Sequence, residues 1–214
     1  SSSSIRGLIL ACNNIGNDEI TNLADGLVVN QSLEILDLLD TRIGDIGLIA
    51  LSNALKNHKS LKQINLGNNC FTEIGMKALS EAIASNTSLR EIILMSNRIS
   101  YEGMVELSKS LGINSTLLKI GLSGCYIGDN EIELLSNAIK INETLQEIDL
   151  SANLIGDMGI TSFSNGLIAN KSLEEVNLNG NQFGYIGVIA LSECIKVNQK
   201  LKDLQFLSHN PITE

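Results

Sequence analysis

The sequence of 214 residues contains no tryptophan and a single proline, and aromatic residues make up only 3% of it. A core built from this chain must therefore be aliphatic, and a hydrophobic content of 43% is ample for one continuous core. No apolar run reaches the length of a membrane span, and the first residues do not have the layout of a signal peptide. No linker rich in proline, glycine and serine interrupts the chain, so we expect one domain.

Basic residues are also scarce, since the chain has 15 of them and 24 acidic residues, and the net charge is -9. This balance argues against a groove for nucleic-acid phosphates and favours a protein partner with a basic surface. We expect no membrane partner, a monomer, and a cytoplasmic location. If the chain is a secreted bacterial effector, that location is the host cytosol.

Four cysteines lie far apart, at Cys12, Cys70, Cys125 and Cys194, and no CxxC pair occurs. We predict that all four are reduced and buried. His58 and His209 are the only histidines, and we predict one on the surface and one near the end of the chain. No group of residues has metal-ligand or catalytic-triad spacing, so we expect no metal, no cofactor and no enzyme activity.

The same residue pattern recurs every 28 residues, as in "LQEIDLSANLIGDMG" at 145–159 and "LEEVNLNGNQFGYIG" at 173–187. Within each repeat, positions 1, 4 and 6 are aliphatic, position 9 is usually asparagine, and position 11 is isoleucine or phenylalanine. The repeats start at Ile5, Leu33, Leu61, Leu89, Leu117, Leu145, Leu173 and Leu201. We therefore predict a single domain over 1–214, with seven full repeats from Ile5 and a partial eighth from Leu201. We expect this domain to be a fragment of a longer protein.

The two halves of each repeat have different periods. Positions 4 and 6 alternate as in a β-strand, whereas Leu48, Leu51 and Leu55 have the spacing of one helix face. Aspartates such as Asp45 suit the start of the helix. Asparagines stand where each helix should end, and we predict that they take a left-handed cap. Five of these asparagines also form glycosylation sequons, which we interpret as structural because all five share one repeat position: Asn30, Asn86, Asn114, Asn142 and Asn170.

The pattern L-x-x-L-x-L-x-x-N-x-I is that of leucine-rich repeats. It predicts an α/β solenoid shaped as a horseshoe, with a parallel β-sheet on the concave face and α-helices on the convex face. The helical half, "IGDIGLIALSNAL" at 43–55, and the segment "NTSL" at 86–89 resemble the ribonuclease-inhibitor-like class. That class includes the sensor arms of NOD-like receptors, the GTPase-activating protein of Ran and effectors of intracellular bacteria. The resemblance implies a non-catalytic module that binds other proteins.

Positions 3, 5 and 7 should face the concave side of the sheet. The first half of this face carries scattered apolar residues, and the second half is polar and acidic. Because like charges stacked on neighbouring strands cost stability, we interpret the acidic column as a binding feature. The predicted concave binding residues are Ile35, Asp37, Leu39, Asn65, Glu91, Ile93, Met95, Glu147, Asp149, Glu175 and Asn177.

Aromatic and arginine residues, which dominate many protein interfaces, occur instead along the loop edge. The predicted rim binding residues are Arg42, Arg98, Tyr101, Tyr126 and Tyr185. Two alternatives remain open. The chain could activate a GTPase, as its resemblance to the Ran activator implies, with Arg42 or Arg98 stabilising the charge of the transferred phosphoryl group. It could also be a structural spacer without a dedicated ligand.

Overall fold

The computed structural model describes residues 4–212, in which three-residue strands alternate with thirteen-residue helices. The strands are β1 (Gly7–Ile9), β2 (Ile35–Asp37), β3 (Gln63–Asn65), β4 (Glu91–Ile93), β5 (Lys119–Gly121), β6 (Glu147–Asp149), β7 (Glu175–Asn177) and β8 (Asp203–Gln205). The helices are α1 (Asn17–Val29), α2 (Asp45–Asn57), α3 (Glu73–Ser85), α4 (Tyr101–Ile113), α5 (Asp129–Ile141), α6 (Asp157–Ala169) and α7 (Tyr185–Val197). None of the helices in this part of the chain is long and apolar enough to cross a membrane.

The eight strands form one parallel sheet in chain order, and each residue pairs with the residue 28 positions later. The predicted alternation is present, because the side chains at positions 4 and 6 are buried, as at Ile92 and Leu94. They pack against the inner faces of the helices in one continuous aliphatic core. Helices pack about 8–10 Å apart and strands about 4.8 Å apart, so stacking equal units places the sheet on the concave side. The predicted α/β solenoid is confirmed.

A first ladder of side chains satisfies the backbone where each strand turns towards its helix. The Nδ2 atom of Asn97 donates to the carbonyl of Leu94 in its own repeat and to that of Leu66 in the preceding repeat, both at 2.9 Å. Its Oδ1 atom accepts from the backbone N–H of Asn69, also at 2.9 Å. Each asparagine thus ties two repeats together while it removes buried polar groups that would otherwise lack partners.

A second ladder stands at the C-terminal ends of the helices, where the prediction of a left-handed cap is wrong. Asn86 has an extended backbone, with φ −71° and ψ 136°. Its Nδ2 atom donates to the carbonyl of Leu55 at 2.6 Å, and its Oδ1 atom accepts from the N–H groups of Ser88 and Leu89. The side chain is buried and bonded at both ends, which explains why asparagine recurs here without any role in glycosylation.

His58 occupies this ladder position in the second repeat, so the prediction of a surface histidine does not hold for it. Its side chain is 1% exposed, and its Nδ1 atom accepts from the N–H of Leu61 at 3.1 Å, as an asparagine oxygen would. The Nε2 atom makes no hydrogen bond of ordinary geometry. Burial lowers the pKa of His58, and the backbone carbonyl of Asn30 partly opposes this shift. His209, near the end of the chain, is exposed.

A third ladder joins the N-terminal ends of neighbouring helices. The carboxylate of Asp157, the first residue of α6, accepts hydrogen bonds from the N–H groups of Gly184 and Gly187 at 2.9 and 2.7 Å. These two amides belong to the first turn of α7, so each such aspartate caps the following helix rather than its own. Glycine is needed at the second site because of close approach: a Cβ atom at Gly159 would lie 2.4 Å from the Oδ1 atom of Asp129.

Cysteine burial differs from the prediction in two of four cases. Cys125 and Cys194 are buried, whereas Cys12 and Cys70 lie exposed on the loops that follow β1 and β3. Cys125 replaces the asparagine of the first ladder, and its thiol lies 3.2 Å from the carbonyl oxygen of Leu94. Burial raises the pKa of Cys125 to about 12, so this thiol stays protonated at neutral pH.

Buried serines at position 20 of the repeats yield a stability prediction. The Ser80 hydroxyl is buried without a hydrogen-bond partner, whereas the Ser136 hydroxyl donates to the Ser162 carbonyl at 2.6 Å. Ser80→Ala should raise the free energy of unfolding by about 1 kcal/mol, because a desolvated hydroxyl is removed. Ser136→Ala, the matched control with the same gain in helix propensity, should lose its hydrogen bond and stabilise less or destabilise. Urea unfolding measures both, and equal effects would contradict the assignment.

His58 yields a prediction on pH. Its pKa is lower in the folded chain than the value of 6.5 for an unperturbed histidine, so the unfolded chain binds more protons below that pH. Stability should therefore fall as the pH drops from about 6.5 towards 5. His58→Asn should restore the ladder and flatten this dependence, whereas His209→Asn should leave it unchanged. Thermal unfolding across this pH range provides the measurement, and a slope that survives His58→Asn would contradict the prediction.

Candidate interaction surfaces

The predicted concave residues lie on the exposed face of the sheet, in two groups. Side chains of the first group are half-buried or exposed, and Ile35 and Met95 are about two-fifths exposed, at 41% and 39%. The first group surrounds a shallow cavity of 160 Å³ over β1 to β4, which Ile9 and Gln63 also line. The predicted residues that line it are Ile35, Asp37, Asn65, Glu91 and Ile93.

Two glycines leave space on this face that apolar side chains of neighbouring strands occupy. A Cβ atom at Gly67 would lie 2.7 Å from Met95 and 2.9 Å from Leu39, so both side chains lie over the glycine. Ile93 similarly lies over Gly121, 3.4 Å from where a Cβ atom would stand. The sequence predicted no role for either glycine, although both stand in the sheet-facing positions of the repeat. We call Ile35, Leu39, Ile93 and Met95 the apolar patch.

The second group forms an acidic hollow of 100 Å³ over β6 to β8. Its predicted residues are Glu147, Asp149, Glu175 and Asn177, and Gln205, Ile148 and Val176 also line it. Glu147 pairs with Glu175 across neighbouring strands, and Glu175 pairs with Asp203 in turn. Among the described residues, Glu175 is an exposed carboxylate that no lysine or arginine contacts.

Lys119 partly neutralises the negative charge of the predicted acidic column. Its ammonium group lies 2.7 Å from Glu147 and 3.8 Å from Glu91, between the apolar patch and the acidic hollow. The hydrogen bond to Glu147 raises the pKa of Lys119, and the charges of Glu147, Glu91 and Glu175 add to the effect against a smaller opposing effect of burial. Part of the like-charge cost is therefore offset within the sheet itself.

Polar residues at position 5 have a structural role that the sequence analysis missed. The side-chain oxygens of Asp37, Asn65, Asp149 and Asn177 each accept a hydrogen bond from the N–H group two residues later, at 3.0 ± 0.1 Å. Such bonds are Asx turns, which Asp and Asn favour wherever a strand ends in a turn. The recurrence of Asp and Asn at one position was the signal for it.

The predicted rim residues are all exposed, but the structure does not bring all of them together. Arg98, Tyr101 and Tyr126 line one open cavity of 770 Å³ between the fourth and fifth repeats, whereas Arg42 and Tyr185 do not line it. Tyr101 and Tyr185 are the first residues of α4 and α7, slightly beyond the loops themselves. Nothing tests a role for Arg42 or Arg98 in GTPase activation, which stays a prediction.

Metal-binding chemistry has no candidate within residues 4–212, because no group of three His, Cys, Asp or Glu side chains there could hold an ion. In this part of the chain, carboxylates are instead hydrogen-bonded to backbone amides or paired with lysines. The carboxylate of Asp45 is an example. Burial raises the pKa of Asp45, but hydrogen bonds from Thr72 and Gly75 outweigh burial, and the pKa lies below its usual value. Its carboxylate is held in the third ladder, where it has a structural role.

Comparison with known proteins gives a family and a fold. Five segments match the profile of the family described as Leucine Rich repeat, and together they cover more than half of the chain. The matched residues are 29–52, 57–80, 85–108, 142–164 and 169–192. No curated protein matches the sequence.

Two solved structures show similar folds. One is described as leiomodin-1 actin-binding site 2, with a TM-score of 0.54 and 20% sequence identity over 59% of this chain and 76% of that chain. The other is the C-terminal domain of tropomodulin from Caenorhabditis elegans, with a TM-score of 0.50 and 15% identity over 78% of this chain and 83% of that chain. At this level of identity the likeness concerns the fold alone.

Proposed function

The chain belongs to the leucine-rich repeat family, and we propose that it is a non-catalytic protein-interaction module that binds its partner on the exposed face of the sheet. The observation that carries this proposal is the juxtaposition of the apolar patch and the acidic hollow on one open face. Eight strands about 4.8 Å apart give this face a length of about 34 Å. That length suits a standard interface, which buries about 800 Å² on each partner.

The chemistry of the face supports a protein partner of complementary chemistry. The apolar patch offers aliphatic contact over β2 to β4, and the acidic hollow offers carboxylates over β6 to β8. A complementary surface has a group of aliphatic side chains and a group of lysines or arginines. The centres of these two groups are separated by about four strand spacings. Apolar contact would supply most of the affinity, and charge complementarity would supply orientation and association rate.

The similar folds give general support. The leiomodin-1 structure is described as an actin-binding site, so a solenoid of this kind can carry a protein-binding surface. The exposed Ile35 and Met95, on the same face of the sheet as Glu175, favour a binding surface over a spacer without a ligand. The ribonuclease-inhibitor-like subtype, the cytoplasmic location and the monomeric state belong to the same proposal, which assigns no cofactor and no nucleic-acid partner.

Three single substitutions test the sheet face. Glu175→Lys reverses an exposed charge of the acidic hollow, and Ile35→Thr shortens an exposed side chain of the apolar patch while it keeps the β-branch. Glu143→Lys makes the same charge reversal at an exposed position off the sheet and serves as the control. All three proteins should unfold at about the wild-type denaturant concentration, because exposed substitutions usually change stability by about 0.5 kcal/mol or less.

Affinity capture from a cell lysate, followed by calorimetry with the purified partner, provides the measurement. A partner bound as proposed should lose about tenfold or more in affinity with Glu175→Lys and with Ile35→Thr, and should bind Glu143→Lys like the wild type. Equal binding by all four proteins would place recognition away from the sheet face. If the wild type captures no protein reproducibly, the proposal of an interaction module fails.

A further inference from the structure

The third ladder is interrupted at two helices, α4 and α5. The first turns of α2, α3, α6 and α7 each receive hydrogen bonds from an Asp or Asn side chain of the preceding repeat. Helices α4 and α5 are capped from within instead: Ser100 Oγ accepts from Gly103 N at 3.2 Å, and Glu131 Oε2 accepts from Gly128 N at 3.0 Å. Among the helices that follow a described repeat, these two lack the tie.

The interruption at α5 has a cause in the sequence. Tyr101 stands where Asp45, Asp129 and Asp157 stand in other repeats, and its ring has no acceptor for the amides of α5. Glu131 stands where the other helices that follow a repeat have glycine, and it supplies the missing acceptor. Two positions of the repeat thus differ together. Tyr101 removes the hydrogen bond from the preceding repeat, and Glu131 replaces it with a hydrogen bond from within α5. The Tyr101 ring is 47% exposed at this place.

A cavity of 770 Å³ opens where the tie is missing. Tyr101 and Tyr126 line it with Arg98, and Ile99 and Leu154 add apolar surface. Tyr126 is 63% exposed and has a left-handed backbone, with φ 60°, which is unfavourable for a bulky residue. The cavity therefore combines two exposed aromatic rings with a guanidinium group, the side chains that most often dominate binding energy at interfaces.

The charges around the cavity select its occupant. Arg98 makes no ion pair or hydrogen bond with any residue in 4–212, although the chain has an excess of carboxylates. Glu131, which also lines the cavity, is bonded to the N–H of Gly128. Asp129 is turned towards the next repeat, where it accepts from Gly156 N at 2.7 Å. These two carboxylates are thus bonded to backbone amides, and the guanidinium group, which has no partner among residues 4–212, is available to bind an anion from outside.

We propose that this rim cavity docks an acidic segment of a protein partner, with a partner carboxylate on Arg98 and an adjacent aliphatic side chain between Tyr101 and Tyr126. The surface lies on the loop edge and shares no lining residue with the apolar patch or the acidic hollow. It therefore goes beyond the sheet face and takes a segment of the opposite charge. A negative binding result at one surface would therefore not contradict the proposal for the other.

Peptide titration monitored by amide NMR tests the proposal. The probe is a blocked pentapeptide of alternating glutamate and leucine, and its control replaces each glutamate with lysine. The acidic peptide should bind saturably and shift the amides of residues 98–103 and 126, whereas the lysine peptide should not. Shifts confined to the sheet face, equal binding of the lysine peptide, or no binding of the acidic peptide would each overturn the proposal.

Three variants locate the contact. Arg98→Gln should weaken binding of the acidic peptide by about tenfold or more. Arg42→Gln is the matched control, because Arg42 is an exposed arginine at the same repeat position, two repeats earlier, and should leave the affinity unchanged. Tyr126→Gly should also weaken binding while it relieves the left-handed backbone, so the unfolding midpoint should not fall. Equal effects of Arg98→Gln and Arg42→Gln, or full affinity in Tyr126→Gly, would contradict the assigned contacts.

Discussion

The hydrogen bonds that cross from one repeat to the next are the constraint on which the rest of this structure depends. A turning chain leaves buried carbonyls and amides without partners, and here a side chain of the following or preceding repeat supplies them. The amide of Asn97 shows the principle, since one side chain bonds two carbonyls 28 residues apart. Because each ladder works only at one register, an insertion of a single residue must be absorbed locally, as it is at Asn210, which takes the ladder role one position late.

The ladders also determine where a binding surface can arise. Positions that bond the backbone or fill the core are committed to the fold, and the remaining positions lie on the sheet face and along the rim. On the sheet face, Lys119 separates an apolar half from an acidic half and moderates the repulsion within the acidic half. On the rim, Tyr101 occupies a position that the fold uses elsewhere for a cap, and Glu131 compensates. The residues of both surfaces therefore differ from the residues that the repeat needs for folding alone.

Much of the fold was predictable because the repeat is regular. The strand positions, the register of 28 and the helix starts at Asp45, Asp129 and Asp157 all follow from periodicity. Details that depend on a neighbouring repeat were not predictable from one repeat alone. His58 reads as a surface residue until it is placed in the second ladder, and the asparagine caps read as left-handed until their bonds to the preceding helix are seen.

The candidate site was predictable in its faces but not in its contacts. Alternation along the strands assigns residues to the exposed face, yet it does not show that Leu39 and Met95 both lie over Gly67. Side-chain length and direction decide such contacts, as they decide that Lys119 reaches Glu147 rather than solvent. The same holds on the rim, where Arg98 shares a cavity with Tyr126 and Arg42 does not.

Residue-resolved amide hydrogen exchange of the free protein tests most directly whether the ladders hold the stack and are interrupted at α4 and α5. The amides of Gly44, Gly156 and Gly184 are bonded to side chains of the preceding repeat, and the account predicts that they exchange slowly. The amide of Ser100, at the start of α4, has no such bond and should exchange much faster. Equal protection of Ser100 and the three glycines would contradict the claim that inter-repeat capping organises the solenoid and is released at the rim cavity.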